Sequence, residues 1–162
     1  MKEIKLANNK GVVLVDDSDF EELNQYHWCL SIWGYATRRV LKSERVKYKT
    51  ANILMHRQIM GVIDPKSHVD HINQIPLDNR RENLRFCSMS QNKWNMRKRA
   101  DNKSGFKGVR FRARFNRWVA VIGRGGKKIH LGYFGTREEA ALVYNQAAQK
   151  IHGEFACLNK IG

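Results

Sequence analysis

Residues 68–92 read HVDHINQIPLDNRRENLRFCSMSQN. HVDHI alternates as a strand does, and NQIPLDNRRE carries the proline, aspartate and asparagines of a turning loop. NLRFCS is a second short strand. From there SMSQNKWNMRKR reads as a helix, with Ser88 and Gln91 spaced as a capping box and Arg97, Lys98 and Arg99 suited to a helix C-terminus. The order is strand, loop, strand, helix. Within it Asp70 stands beside His71, and Asn83 and Asn92 follow.

These residue types suit one kind of chemistry. Hydrolysis of a phosphodiester by a metal enzyme needs oxygen ligands for a hard cation, a base for the attacking water and stabilisation of the leaving oxygen. Asp70 can give a carboxylate. His71 titrates near neutrality and suits a general base. Mg²⁺ keeps several waters and needs only one or two protein oxygens, so a carboxylate plus the amide of Asn92 suffices. Singly, a DH pair or a turn asparagine is ordinary. Together, in this frame, they form a candidate site.

The composition fits a polyanionic partner. The 162 residues carry 30 Lys+Arg against 15 Asp+Glu, a net charge of +15, and are 42% hydrophobic. A core is feasible, and the charge excess opposes compaction unless a partner neutralises it. Nucleic acid is the first candidate and an anionic membrane the second. Residues 105–162 hold 11 basic and 3 acidic side chains, the largest net positive share. Cys29, Cys87 and Cys157 show no CxxC pairing, which speaks against a disulfide framework or structural zinc. MKEIKLANNKGVV lacks an apolar signal segment, and no run reaches membrane-spanning length. The expectation is a cytoplasmic protein of a bacterial or phage-infected cell, with no membrane partner.

Upstream, KGVVLVDD reads as a strand and SDFEELNQYHW as a short helix capped by Ser18 or Asp19. CLSIWGYATRRV and RVKYKTANILM read as two strands, and LMHRQIMGV as a helix ended near Gly61 and Pro65. His56 suits packing or a phosphate contact more than a metal. His68 shares a strand face with Asp70 and could support it. ADNKSG, residues 100–105, reads as a boundary. Beyond it FKGVRFRAR, RWVAVIGR and KKIHLGYFG read as three strands, with a turn at Gly123–Gly126. TREEAALVYNQAAQKIHG reads as a helix capped by Thr136 and closed by Gly153, with Ala140, Ala141, Tyr144, Ala147, Ala148 and Ile151 on one face.

VDHINQIPLDNRRENLRFCSMSQN, with His71, Asn83 and Asn92 spaced by 12 and 9 residues, resembles the HNH nuclease motif of phage and intron homing endonucleases. LMHRQIMG just upstream resembles the same family. The resemblance implies a ββα-metal fold and a divalent metal, Mg²⁺ or Mn²⁺. It implies that His71 activates water, that Asp70 and Asn92 hold the metal, and that Asn83 holds the loop and orients the histidine by hydrogen bonding. Asparagine stands at Asn92 where the family often has histidine, which favours a hard cation over zinc.

In the C-terminal third, Arg110, Arg112 and Arg114 fall on one strand face, with Val109, Phe111 and Ala113 on the face a helix can cover. An arginine face can read guanine in the major groove, and Lys128 and His130 can extend it. GVR, WVAVI, LGYF, EEAALVYNQAA and the closing LN of residues 105–159 resemble the AP2 domain of plant transcription factors. The resemblance implies a three-stranded antiparallel sheet packed on one helix, with DNA contacts at Lys107, Arg110, Arg112, Lys128, His130 and Tyr133. Val121 and Gly123 stand where the family often has Glu and Arg, so the plant target sequence does not carry over. Trp118 and Phe134 suit the core.

The expectation is therefore an α+β chain. Residues 1–99 form a β-rich extension and a ββα-metal nuclease motif centred on 68–98, residues 100–104 a linker, and residues 105–162 a DNA reader. The activity expected is metal-dependent, site-directed cleavage of double-stranded DNA by a homing endonuclease. The rival is a DNA-binding regulator on an inactive HNH fold. Oligomeric state, target sequence and the role of residues 1–52 stay open.

Overall fold

The computed structural model describes residues 1–48 and 50–162. The chain divides into two compact units, Met1–Met89 and Ser90–Gly162. This division falls ahead of the linker expected at 100–104.

In the first unit, β1 (Lys2–Lys5) and β2 (Val12–Val15) form an antiparallel pair, followed by α1 (Asp17–Leu23). The α1 N-cap is Asp16, ahead of the Ser18 or Asp19 that the sequence suggests. CLSIWGYATRRV is not one strand. It folds into a hairpin of β3 (Cys29–Leu30) and β4 (Ala36–Arg39), because the Ser31 carbonyl and hydroxyl accept the N–H groups of Gly34 and Tyr35 and close a turn. RVKYKTANILM is likewise split into a helical turn, α2 (Arg45–Tyr48), and β5 (Asn52–Leu54), which pairs with β4. Then come α3 (Met55–Ile59), β6 (His68–His71) and β7 (Leu84–Cys87); α4 (Met89–Asn95) begins at the last residue of this unit and its other residues belong to the second.

The core of this unit holds Ile4, Val13, Val15, Leu23, Trp28 and Met55 with Val69 and Leu84. It joins the N-terminal strands to the β6–β7 pair, and each such burial contributes roughly 1.5–3 kcal/mol. A buried arginine braces the same region. Arg38, 3% exposed, gives two bonds to the Glu44 carboxylate at 2.7 and 2.8 Å and lies 3.8 Å from the Tyr26 ring centre.

The second unit contains β8 (Val109–Arg112), β9 (Arg117–Arg124), β10 (Lys127–Phe134) and α5 (Arg137–His152). The sheet order is β10-β9-β8 and all pairings are antiparallel. Gly125 and Gly126 (φ +55° and +77°) make the two-residue turn between β9 and β10, where both positions need positive φ. Thr136 caps α5 through its hydroxyl to Glu139 N–H, and Ala140, Ala141, Tyr144 and Ala148 bury against the sheet. Trp118 and Phe134 pack on this core, as the sequence suggests.

Residues 100–104 form an ordered turn. The Ser104 hydroxyl lies 2.8 Å from the Val109 carbonyl oxygen and Asn102 Nδ2 donates to Phe106 O at 3.0 Å. The end of α4 also packs within this unit: Trp94 stacks on His152 at 4.4 Å and 11°. That stack is why the division falls before the expected linker.

At Gly108 (φ +76°) an added Cβ would lie 2.1 Å from the Tyr144 ring and 2.9 Å from Val121 O, which is backbone. Gly108→Ala should cost about 2 kcal/mol or more through strain and overpacking. Denaturant unfolding of the full chain, followed by fluorescence and far-UV dichroism, should show the loss.

Candidate active site and nucleic-acid interface

The β6–β7 register sets Asp70 opposite Arg85 and His71 opposite Leu84. Asp70 is 7% exposed. Arg85 Nε and Nη2 reach its Oδ2 at 3.1 and 2.9 Å, a charge partner that a buried carboxylate requires. His71, one residue on, faces a ring cluster. His56 of α3 meets it edge-on at 4.9 Å, and Tyr35 lies 5.8 Å from His71 and 5.3 Å from His56.

Burial pushes the His71 imidazole below its usual range, opposed by the Asn79 hydrogen bond and the charges of Asp70 and Asp78. It is therefore a neutral base at neutral pH. Burial, then the neighbouring His71 and Arg57, pushes His56 down to about 3. Burial and the Asp70 charge raise the Tyr35 hydroxyl.

The ring contact comes from a residue that the sequence reading passed over. His71 Nε2 lies 3.2 Å from Asn79 Oδ1, and Asn79 is 1% exposed. Asn79 Nδ2 points to the carbonyl of Pro76, which can only accept, so Oδ1 is the atom that faces the ring. The neutral ring thus carries its proton on Nε2 and its lone pair on Nδ1.

Asn83 was expected both to hold the loop and to orient the histidine. The structure places it as the loop brace: its Nδ2 donates to Asp78 O at 2.7 Å and Asn73 Oδ1 at 3.0 Å, and its Oδ1 accepts from Asn73 N at 2.9 Å. The ring contact belongs to Asn79, because Asn83 turns into the loop. The only sequence signal for Asn79 was its place in that loop.

The N-terminal segment holds the loop too. Asn79 N donates to Leu14 O, and Leu14 N to Leu77 O. Arg81 N donates to Asp16 Oδ2, and its guanidinium bonds both Asp19 oxygens at 2.8 and 2.6 Å. Arg80 binds Asp78, and Arg85 binds Asp70. The arginines of this stretch are loop anchors with carboxylate partners.

Asn92 is the fourth residue of α4 and lies half-buried in the second unit. His68 is half-buried on β6. No group of three or more His, Cys, Asp or Glu side chains among the described residues could hold a metal.

In the second unit, Arg110 and Arg112 pair with Val119 and Arg117, and Lys128 and His130 with Gly123 and Val121. All of these share the sheet face away from α5. A bulge between His130 and Gly132 shifts the alternation, so Tyr133, opposite Val119, joins that face; its ring lies 4.7 Å from His130. Arg117 belongs to it by register and was not anticipated. Two expected contacts need correction. Arg114 leaves the row, because β8 ends at Arg112 and the chain turns through Ala113–Phe115 to left-handed Asn116. Lys107 is not turned to the sheet face: its ammonium donates to Trp94 O and Met96 O, both at 2.6 Å, at the end of α4. Phe111, expected under the helix, is 47% exposed and packs on Trp118 at 5.1 Å instead.

Comparison with known proteins matches two family models: HNH endonuclease over residues 49–94 and AP2 domain over residues 104–154. An HNH endonuclease of Acanthamoeba polyphaga mimivirus is 33% identical over 162 residues, covering 96% of this chain and 79% of that protein. The chain belongs to the HNH endonuclease family. Protein 3.8 of Escherichia phage T7 is 30% identical over 96 residues, 59% of this chain and 78% of that protein. Dehydration-responsive element-binding protein 2C of Arabidopsis thaliana is 46% identical over 56 residues, 33% of this HNH family member and 16% of the plant protein. The α+β architecture and both named domains agree with the sequence reading. No helix among the described residues is long and apolar enough to cross a membrane.

Two measurements check this geometry. Ring nitrogen-15 shifts of His71 should show a protonated Nε2 and an unprotonated Nδ1, and Asn79→Ala should give a mixture of tautomers. The second concerns acid stability. His56 has a depressed folded value, so its contribution is full above the unfolded 6.5 and is lost as pH falls from 6.5 toward 3. The loss amounts to about 1.4 kcal/mol per pH unit in that window. Denaturant midpoints of wild type should fall more steeply with acid than those of His56→Phe.

Proposed function

We propose that this chain is a metal-dependent, site-directed endonuclease that hydrolyses a phosphodiester bond in double-stranded DNA. The observation that carries the reading is the buried Asp70–His71 pair, in which Asn79 sets the tautomer of His71. A neutral imidazole with its lone pair on Nδ1 can take the proton of a water attacking phosphorus. The P–O bond to the leaving 3′ oxygen then breaks. Asp70 is the residue of the first unit that would hold a divalent cation, Mg²⁺ or Mn²⁺, which when bound would supply charge stabilisation to the phosphate and leaving oxygen. Arg85 holds the Asp70 carboxylate in place through its bonds from the paired strand.

The sheet of the second unit supplies register and affinity. Arg110, Arg112, Lys128, His130 and Tyr133 present donors and a ring on one open face, suited to a major groove. Relatives encoded by a giant virus and a phage support a homing-type role in an infected cell.

Plasmid nicking with Mg²⁺ or Mn²⁺, and none with chelator, is the expected result. Supercoiled DNA left intact with every divalent metal would instead favour a DNA-binding regulator on an inactive fold. His71→Ala should lose cleavage on the order of 10²-fold or more while keeping DNA affinity. Loss of both together would make His71 a structural residue.

A further inference from the structure

The turn between β3 and β4 presents two large apolar side chains to solvent. Ile32 is 92% exposed, more than any other large apolar side chain among the described residues, and Trp33 is 77% exposed. Turn positions usually hold Asn, Asp, Gly, Ser or Pro. The turn itself does not need these two. Gly34 supplies its positive φ (+82°). Ser31 supplies its bonds: the Ser31 N–H donates to Tyr35 O at 2.8 Å, its carbonyl accepts from Gly34 N at 3.0 Å, and its hydroxyl accepts from Tyr35 N at 3.0 Å. The result is a tight hairpin loop with Ile32 and Trp33 held at its tip.

The tip stands next to the candidate active site. Tyr35 is the first residue after the loop, and its ring lies 5.8 Å from that of His71 and 5.3 Å from that of His56. Trp33 is two residues away along the chain, a backbone span of at most about 7 Å. Successive nucleotides of one strand rise by about 3.4 Å. A strand whose phosphate meets His71 therefore has bases within reach of the tip a few steps away.

The surroundings suit DNA. Residues 24–43 contain Arg38, Arg39 and Lys42 and no Asp or Glu. Arg38 is committed to Glu44, while Arg39 and Lys42 are exposed. Two side chains offer too little area for a stable protein interface, which buries about 800 Å² on each partner. They suffice for a wedge. Apolar side chains inserted at a base step unstack it and kink the duplex, and an indole can stack on any base.

We propose that the Ile32–Trp33 tip is a wedge that inserts at a base step a few nucleotides from the scissile phosphate, with Trp33 stacked on a base face. This rests on the reading of the Asp70–His71 pair as a DNA-cutting site. Such a wedge is tolerant of sequence, because every base has a face to stack on, and it favours steps that open easily.

The test is equilibrium binding of the full chain, in chelator, to a short duplex of arbitrary sequence and to the same duplex with one central T·T mismatch, where unstacking costs less. Wild type should bind the mismatched duplex more tightly, on the order of 10-fold. The Ile32→Ser, Trp33→Ser double variant should lose that preference and keep the wild-type denaturant midpoint, since both side chains are exposed. Trp33→Phe should retain the preference. With Mn²⁺, cuts in the end-labelled mismatched duplex should cluster within a few base steps of the mismatch. Equal binding of both duplexes by wild type, or an undiminished preference in the serine variant, overturns the proposal. So does a serine variant altered only in binding to anionic vesicles or in oligomeric state, which gives the tip to a membrane or to a second copy. Cuts scattered along the duplex with the preference intact overturn the placement beside the scissile phosphate. A Trp33-dependent preference without cleavage in any divalent metal overturns the nuclease reading alone and leaves the tip as a DNA wedge. Wild type that binds neither duplex removes both readings.

Discussion

A buried carboxylate next to a buried imidazole is costly in a small basic protein, and much of the first unit is arranged around that cost. Asp70 has the guanidinium of Arg85 from the partner strand. His71 has the amide oxygen of Asn79, and its ring stands against Tyr35 and His56. Removing either polar partner would take a stabilising contact from a buried charged or polar group, which is costly in a buried setting.

Asn79 in turn depends on the loop. That loop has little apolar content, so it is held by asparagine and aspartate bonds: Asn83 to Asn73 and Asp78, Asp78 to Arg80, and Arg81 to Asp16 and Asp19. The last two aspartates belong to residues 1–52, which carry no chemistry of their own in the sequence. Their role is mechanical. β2 pairs its Leu14 backbone with the loop at Leu77 and Asn79, and the core beneath β1, β2 and α1 fixes that edge.

The second unit solves a different problem. Its open face must stay cationic, so stability comes from the other side, where alanines let α5 lie close on the sheet and Gly108 admits the Tyr144 ring. The end of α4 is built into the same unit by the Trp94–His152 stack and by Lys107. A lysine that a motif comparison would assign to DNA is used here to close a helix. Its ammonium donates to the carbonyls of Trp94 and Met96 at the helix end, and burial holds its pKa below the usual lysine range.

The elements that rest on local chemistry were legible from the sequence alone. The strand–loop–strand–helix order around Asp70 and His71, the α5 caps at Thr136 and Gly153, and the alternation of Arg110 with Arg112 follow from capping, turn residues and period two. The β3–β4 hairpin and the α2 turn were not legible, since aromatic and β-branched residues read as strand whether or not a short turn interrupts them. Which asparagine meets the histidine, which arginines are spent on carboxylates, and which face Tyr133 occupies past the bulge were decided only by tertiary structure. Each depends on where a partner distant in sequence, or one inserted residue, sets a side chain, and periodicity carries no record of either.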